Sequence, residues 1–490
     1  MVRVRKRKDR DAFAAEEGEE VTSESEDAES EEVSLGGSST DEDEGVESGG
    51  GKGSRRETPE QKRLRLAKAY LKSMEIQKEA EQGGEEDGVE EWDGEGPAPV
   101  DISERLKVEA LAQRGHYQRH IADKVVPSGE GCRRLICRPM SRSGGGAFHR
   151  KSLTGVCVPS ADDTKCYSVS KCGALVGWDL TELRRNNAFT ARVRDCQRAD
   201  SSGGTSTATS GESLYSVCCS DDGRLVVTGG HSGAITVWDS RSGDRVKVFD
   251  KGHKSEVTGL TFQTGTMQLF SCSRDRTVKI WSLDDMAYVD TLFGHVQGCM
   301  QLDCLRKERV ISVGEDRTCR LWKVQDETQL LFKGTPNSGN IDSCCFVNGT
   351  TFVTGSQDNS LSLWSMFKKR PNYTLHGAHE AAAMGNPCKS WIHSLAACPN
   401  TDLVASGSGD GHINLYKVNP EEQVAGDRVQ RVCTIPRVEG YVNSLAFNGD
   451  ATVLVAGVGQ EPRMGRWDRN KNSRNGLFVQ RLKVDGGDDA

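Results

Sequence analysis

From about residue 150 onward the chain reads as short apolar runs separated by Gly, Asp, Asn and Ser. In "HKSEVTGLTFQTGTMQLFSCSRDRTVKIW", His253 to Trp281, three such runs alternate with turns. Runs this short, rich in Val, Ile, Thr and aromatic residues and bounded by turn formers, predict strands. A different periodicity governs the segment before them. In "ETPEQKRLRLAKAYLKSMEIQKEAEQ", residues 57–82, Leu64, Ala67, Leu71 and Met74 fall on one stripe, which predicts an amphipathic helix. Thr58, Pro59 and Gln61 supply its N-cap, its first position and a capping box. An acidic linker with Gly and Pro follows at 83–100, and a second helix is expected over 101–126.

The strand runs also recur as sets. "GALVGWDL" ends near Trp178, "GAITVWDS" near Trp238, "RTVKIWSL" near Trp281 and "RTCRLWKV" near Trp322. "NSLSLWSM" ends near Trp364, "GHINLYKV" near Tyr416 and "PRMGRWDR" near Trp467. The aromatic endings from Trp238 to Trp364 are spaced by 43, 41 and 42 residues; the others lie 60, 52 and 51 apart. A period of about 40–45 residues with this ending is the signature of a WD40 blade. The fold class expected is therefore all-β: a seven-bladed WD40 β-propeller over 130–490, preceded by a disordered acidic N-terminal tail and two helical segments. Insertions are expected near 185–213 and 368–390, and a strand near Arg134 to Cys137 is expected to close the ring.

In such blades a His, a Ser, a turn Asp and the Trp form a hydrogen-bond chain; here His253, Ser271, Asp275 and Trp281 have that order. Asp316 with Trp322, Asp358 with Trp364, and Asp410 repeat it. Set alone, His, Ser and Asp resemble a catalytic triad. A triad is needed once, so repetition assigns these residues to structure, and no enzyme is expected.

Charge changes the picture at the N-terminus. Residues 2–10 hold six basic side chains, and residues 11–51 hold sixteen acidic ones and no basic one. Blocks of this kind bury no core and are expected to be disordered over 1–56. The basic cluster fits nuclear import or a nucleic-acid patch, and Ser23 and Thr40 sit among carboxylates where phosphorylation would add negative charge. The 17 cysteines include no Cys-x-x-Cys pair, which points to reduced thiols in a reducing compartment. No apolar window is long enough to span a membrane. His116 and His120 have helical metal spacing but no accompanying ligands, so neither metal nor cofactor is expected.

Near the C-terminus the apolar run Val453 to Ala456 opens "VLVAGVGQEPRMGRWDR", Val453 to Arg469. A phosphate-binding loop would be followed by a helix, whereas a blade strand ending at Trp467 is expected here. Gly457 and Gly459 then serve a tight exposed turn that displays Gln460, Glu461, Arg463 and Arg466.

With the helix "KRLRLAKAYL" and the segments "YVDTLFGH", "SLWSMFKKRP", "WIHSLAACPNTDLVASGS" and "AGVGQEPRMGRW" in this order, the chain from about Glu57 resembles the WD40 subunit family of the U3 small nucleolar ribonucleoprotein. The resemblance implies a non-catalytic subunit that binds the box B/C region of U3 small nucleolar RNA together with a kink-turn-binding protein. It implies core box C/D proteins including fibrillarin, and other small-subunit processome factors, as partners. It implies support of early pre-rRNA processing toward 18S rRNA, in the nucleus and nucleolus. The long insertion after blade one and Tyr416 depart from the family pattern. By count the chain from residue 152 is near neutral, so RNA contact would need local basic patches. Candidates are Arg463, Arg466 and Arg469; Lys368, Lys369 and Arg370; Arg184, Arg185, Arg192 and Arg194; and Arg63, Arg65 and Lys68 on the first helix. The alternative is a substrate receptor of a cullin-RING ubiquitin ligase, because "ITVWDSR", ending at Arg241, resembles the Trp-Asp-x-Arg box of such receptors. A scaffold for chromatin-modifying complexes is a third reading, which the basic tail permits.

Overall fold

The computed structural model describes residues 118–484 except 128–132, 137–148, 183, 193–211, 251, 307, 335–337, 380–388, 420–427 and 437. Two short strands come first, β1 (Val125–Pro127) and β2 (Arg133–Ile136). Blade one is β3 (Leu153–Cys157), β4 (Lys165–Ser170), β5 (Ala174–Asp179) and β6 (Arg184–Arg192). Blade two is β7 (Leu214–Cys219), β8 (Leu225–Gly230), β9 (Ile235–Asp239) and β10 (Arg245–Phe249). Blade three is β11 (Val257–Phe262), β12 (Gln268–Ser273), β13 (Thr277–Ser282) and β14 (Ala287–Phe293). Blade four is β15 (Cys299–Cys304), β16 (Arg309–Gly314), β17 (Thr318–Lys323) and β18 (Thr328–Lys333). Blade five is β19 (Ile341–Phe346), β20 (Thr351–Ser356), β21 (Ser360–Ser365) and β22 (Tyr373–His376). Blade six is β23 (Ser394–Ala397), β24 (Leu403–Gly407), β25 (Ile413–Val418) and β26 (Val429–Ile435). Blade seven holds β27 (Tyr441–Phe447), β28 (Val453–Gly459) and β29 (Gly476–Val484).

The first strand of each blade packs against the first strand of the next, and β27 packs against β3, so the ring is closed. The outer edge of blade seven comes from the other end of the sequence. Val125 to Pro127 of β1 pair with Val484 to Leu482, and Arg133 to Ile136 of β2 pair with Val479 to Gly476, all antiparallel. The strand expected near Arg134 thus lies on the closing blade, with β1 beside it on the same edge.

Alternating strands put one face of each sheet against the blade before and the other against the blade after. Leu403, Leu415, Leu445, Leu454 and Phe478 fuse blades six and seven, and Leu153, Trp178, Val455 and Leu477 fuse blades seven and one. Trp178, Trp238, Trp281, Trp322 and Trp364 are only 1–5% exposed. Each buried side chain of this size contributes about 3 kcal/mol of transfer free energy.

Four expectations need correction. First, neither helical segment is borne out, and among the described residues there is no α-helix. Residues 57–82 and 101–117 lie outside the described residues. At the described end of the second segment, Ala122–Lys124 form one 3-10 turn and β1 follows. Pro127 disfavours helical backbone before it, and β-branched Val125 and Val126 suit the ladder that β29 offers. The Asp402 carboxylate fixes the turn, accepting from the backbone N–H of Ile121 (2.9 Å) and Ala122 (3.0 Å).

Second, Trp467 does not end a blade strand. The third strand of blade seven is β29, and Gln480 stands opposite Leu454 where the other blades place Trp or Tyr, as in Leu269 opposite Trp281. Third, Gly457 and Gly459 belong to β28 rather than to a tight turn; the connection runs from 460 to 475. A side chain at Gly459 would strike Ser152 of the neighbouring blade. Fourth, the two long connections are partly strand. Arg184–Arg192 is the outer strand of blade one and Tyr373–His376 that of blade five, because a blade needs a fourth strand before the chain can step on.

The antiparallel order sorts the connections onto two faces. First-to-second and third-to-fourth turns lie on one face. Second-to-third turns and blade-to-blade connections lie on the other, which also carries His149, His253, His295 and His379 and is here termed the histidine face.

Candidate nucleic-acid interface

The hydrogen-bond chains beneath the histidine face set its rigidity. His253 bonds Asp275 at 2.9 Å through Nδ1 and Ser271 at 2.8 Å through Nε2, and Trp281 Nε1 donates to Ser271 Oγ at 2.9 Å. His295, Asp316, Ser312 and Trp322 repeat the arrangement at 2.8–2.9 Å. Burial alone would raise the Asp275 and Asp316 carboxyls; the histidine contact, the threonine hydroxyl and a backbone N–H together outweigh it and hold both well below the usual range. Asp410 bonds His379 at 2.8 Å, and Tyr416 sends its hydroxyl to the Ala378 carbonyl at 2.7 Å. In blade five Trp364 donates to Thr354 at 2.9 Å and Asp358 caps its own turn through Ser360. Blade one has a chain that the sequence pattern did not show: His149, Ser168 and Trp178, with Cys172 in the slot that Asp fills elsewhere.

Onto this floor the blade-seven connection 460–475 adds a long projection. Its stem is tied at many points. Gln460 N–H donates to Asn475 Oδ1 (2.9 Å), Glu461 N–H to Ser152 Oγ (3.0 Å), and Asn443 Nδ2 to the Glu461 carbonyl (3.0 Å). The ammonium of Lys171, from the blade-one turn, is buried and donates to the carbonyls of Pro462 (2.6 Å) and Gly465 (2.7 Å). Burial pushes this ammonium down to about 8 against the pull of Glu461, whose carboxylate is 3.7 Å away.

The structure separates the three arginines of this loop. Arg466 and Arg469 have side chains 64% and 59% exposed, with Glu461 at 3.7 and 4.0 Å; Arg469 Nη2 also donates to Gln460 at 2.9 Å. Arg463 does not sit on the rim. It crosses the central channel and donates to the Met300 carbonyl of blade four at 2.6 Å, and burial lowers its guanidinium. The channel below is a cavity of about 460 Å³, with Arg463 in its wall. Lys471 and Arg474 are exposed on the same loop.

The other predicted residues lie apart. Lys368, Lys369 and Arg370 are exposed on the turn between β21 and β22, on the face opposite the histidine face. Arg184 and Arg185 begin β6 opposite Asp179 and Trp178, and Arg192 ends it opposite Ala174. Arg194, Arg63, Arg65 and Lys68 lie outside the described residues. Sequence reasoning missed the aromatic residues of the loop surface: Trp467 lies 6.2 Å from Trp391, which lies 6.2 Å from His393. A tryptophan that ends no blade was the available signal. Among the described residues no group of three or more His, Cys, Asp or Glu could hold a metal ion.

Comparison with known proteins gives matches over most of the chain. The family "WD domain, G-beta repeat" matches residues 204–239, 243–282, 328–365 and 383–417. A "U3 snoRNP-associated protein-like EMB2271" of Arabidopsis thaliana is 34% identical over 87% of this chain and 86% of its own length. The human "U3 small nucleolar RNA-interacting protein 2" is 32% identical over 87% and 83%. The solved structure titled "Structure of U3-55K" is 33% identical, covers 73% of this chain and 100% of its own, and superposes with a TM-score of 0.61.

Proposed function

The chain belongs to the family of U3 snoRNP-associated WD40 proteins, and from that membership we propose that it binds the box B/C region of U3 small nucleolar RNA through the blade-seven loop on the histidine face. The family supports a role in U3 snoRNP and rRNA processing. The observation that carries the site is the loop 460–475: a pinned stem that presents Arg466 and Arg469 to solvent on an otherwise neutral propeller. Neutrality overall removes long-range attraction, so contact rests on these few cations meeting phosphates in a fixed geometry. RNA helices hide their base edges, and a kink-turn-binding protein that bends the RNA first would give the loop its shape to read.

The propeller is in this reading a non-catalytic subunit of the nucleolus, in a particle with the core box C/D proteins including fibrillarin and with other processome factors. Lys368, Lys369 and Arg370 lie on the face opposite the loop, as do Arg184 and Arg185 at the start of β6, and in this reading they serve other contacts; Arg192 ends β6 toward the histidine face. The ubiquitin-ligase reading gains no comparable support: Asp239 caps the backbone N–H of Arg241 at 2.9 Å, as in an ordinary turn.

The test is a gel shift of the full-length protein on box B/C RNA, with and without the kink-turn-binding protein. Binding is expected to be much tighter with it. Replacing Arg466 and Arg469 by Ala is expected to weaken binding and to reduce the slope of log affinity against log salt by about 0.7–0.9 for each lost phosphate contact. Equal affinity for bare and protein-bound RNA, or an unchanged slope, would remove the proposal.

A further inference from the structure

We propose that the indole of Trp467 is a preformed stacking platform for one unpaired base of the RNA; this rests on the RNA-binding reading above. Five tryptophans end blade strands and are nearly fully buried, whereas Trp467 is 56% exposed. An exposed indole forgoes roughly 2–3 kcal/mol of burial, so its position calls for a physical reason.

The ring is held. Gly465 has φ +84°, and any side chain there would collide with the Trp467 ring, so the indole lies directly over the loop backbone. Lys171 grips the Gly465 carbonyl from below at 2.7 Å. Trp391 stands beside the ring at 6.2 Å with an interplanar angle of 51°. The next residue, Asp468, accepts a hydrogen bond from the Tyr441 hydroxyl of β27, which fixes the chain on the far side. A ring held in this way has little rotamer freedom left to lose on binding.

The charge of the loop that carries the ring selects the ligand. Arg466 and Arg469 flank it in sequence, and Lys471 and Arg474 are exposed on the same loop. An exposed aromatic face on a loop that also carries exposed cations is how proteins hold single-stranded nucleotides: the ring takes the base and the cations take the flanking phosphates. A purely apolar protein contact would not need this cation density. The ligand is thus an unpaired nucleotide within or beside a bent RNA helix.

The experiment uses the full-length protein, the box B/C RNA and the kink-turn-binding protein, with Trp467→Ala, Trp467→Phe and the Arg466→Ala, Arg469→Ala pair. Because Trp467 is mostly exposed, the variants are expected to melt within a few degrees of the parent. Trp467→Ala is expected to weaken binding about 10- to 100-fold with an unchanged salt slope, and Trp467→Phe to recover most of the loss. With 4-thiouridine at each unpaired position in turn, one position is expected to crosslink within residues 465–469. Parent-like affinity of Trp467→Ala while the arginine pair weakens binding would overturn the platform and leave the RNA reading standing. A loss seen only with the kink-turn-binding protein present, without a crosslink, would place that protein on the ring and also overturn it. If neither variant set affects RNA binding, the RNA-binding reading fails and the platform with it.

Discussion

Asp275 shows how one residue type serves stability beneath the face proposed to bind RNA. Its carboxylate takes the His253 ring nitrogen on one oxygen and the Thr277 backbone N–H and hydroxyl on the other. The folded carboxyl is held below its ordinary value, so its contribution is complete above the unfolded pKa of about 4 and fades as pH falls through the folded one. Asp275→Asn is therefore expected to cost about 2 kcal/mol at pH 7 and progressively less below pH 4, by denaturant unfolding across pH. A difference that grows in acid would contradict the sign. These chains were legible in the sequence in blades three and four, where His, Ser, Asp and Trp all kept their places; Asp410 keeps its bond to His379, whereas Asp358, expected to repeat the chain, caps its own turn through Ser360 instead. Blade one was not legible, because Cys172 occupies the place of Asp; the ten-residue step from Ser168 to Trp178, shared with Ser271 to Trp281, was the remaining clue. Trp467 misled for the converse reason. It carries the dipeptide of a blade ending, but Pro462 and the glycines around it stop a strand from reaching it.

At the scale of elements, the loop 460–475 is useful because its stem is fixed by neighbours that the sequence does not place beside it. Lys171 is 291 residues before Pro462, and no local pattern announces that they meet. Lys171→Met would leave the carbonyls of Pro462 and Gly465 without this donor. It is expected to speed hydrogen exchange across 460–469 and to weaken RNA binding about tenfold, a cost of about one charge-assisted hydrogen bond. The salt slope is expected to stay as in the parent, since a buried ammonium meets no phosphate. A changed slope would make Lys171 a contact residue. Arg463 teaches the same lesson: its charge was legible, but its direction, across the channel to Met300, depends on the ring being closed.

For the whole molecule, the period of the aromatic endings from Trp178 to Tyr416 marked six blades, because the same four-strand unit must bury both of its faces each time; the seventh was counted from Trp467, which ends no strand. The last blade could not be read from its own stretch, since Gln480 replaces the aromatic and the outer edge is borrowed from residues 125–136. A chain beginning at residue 138 lacks both borrowed strands and is expected to melt at least 10 °C lower than the full chain, by calorimetry, or to aggregate through the bare edge of β29. Equal melting of the two would mean that closure does not depend on them.

That borrowed edge also sets a clock. Val125 leaves the ribosome roughly 360 residues before its partner Val484, which at about 5–20 residues per second is some 20–70 seconds. Through that interval six blades can form while the seventh stays open, so the ring is finished only after its last strand has been made. The Lys171 and Arg463 contacts tie the loop to blade one beside it and to blade four across the channel, both set in place by that closure. A nascent or shortened chain would therefore have no formed loop to offer RNA, and assembly into a particle would select for chains that have been translated through β29.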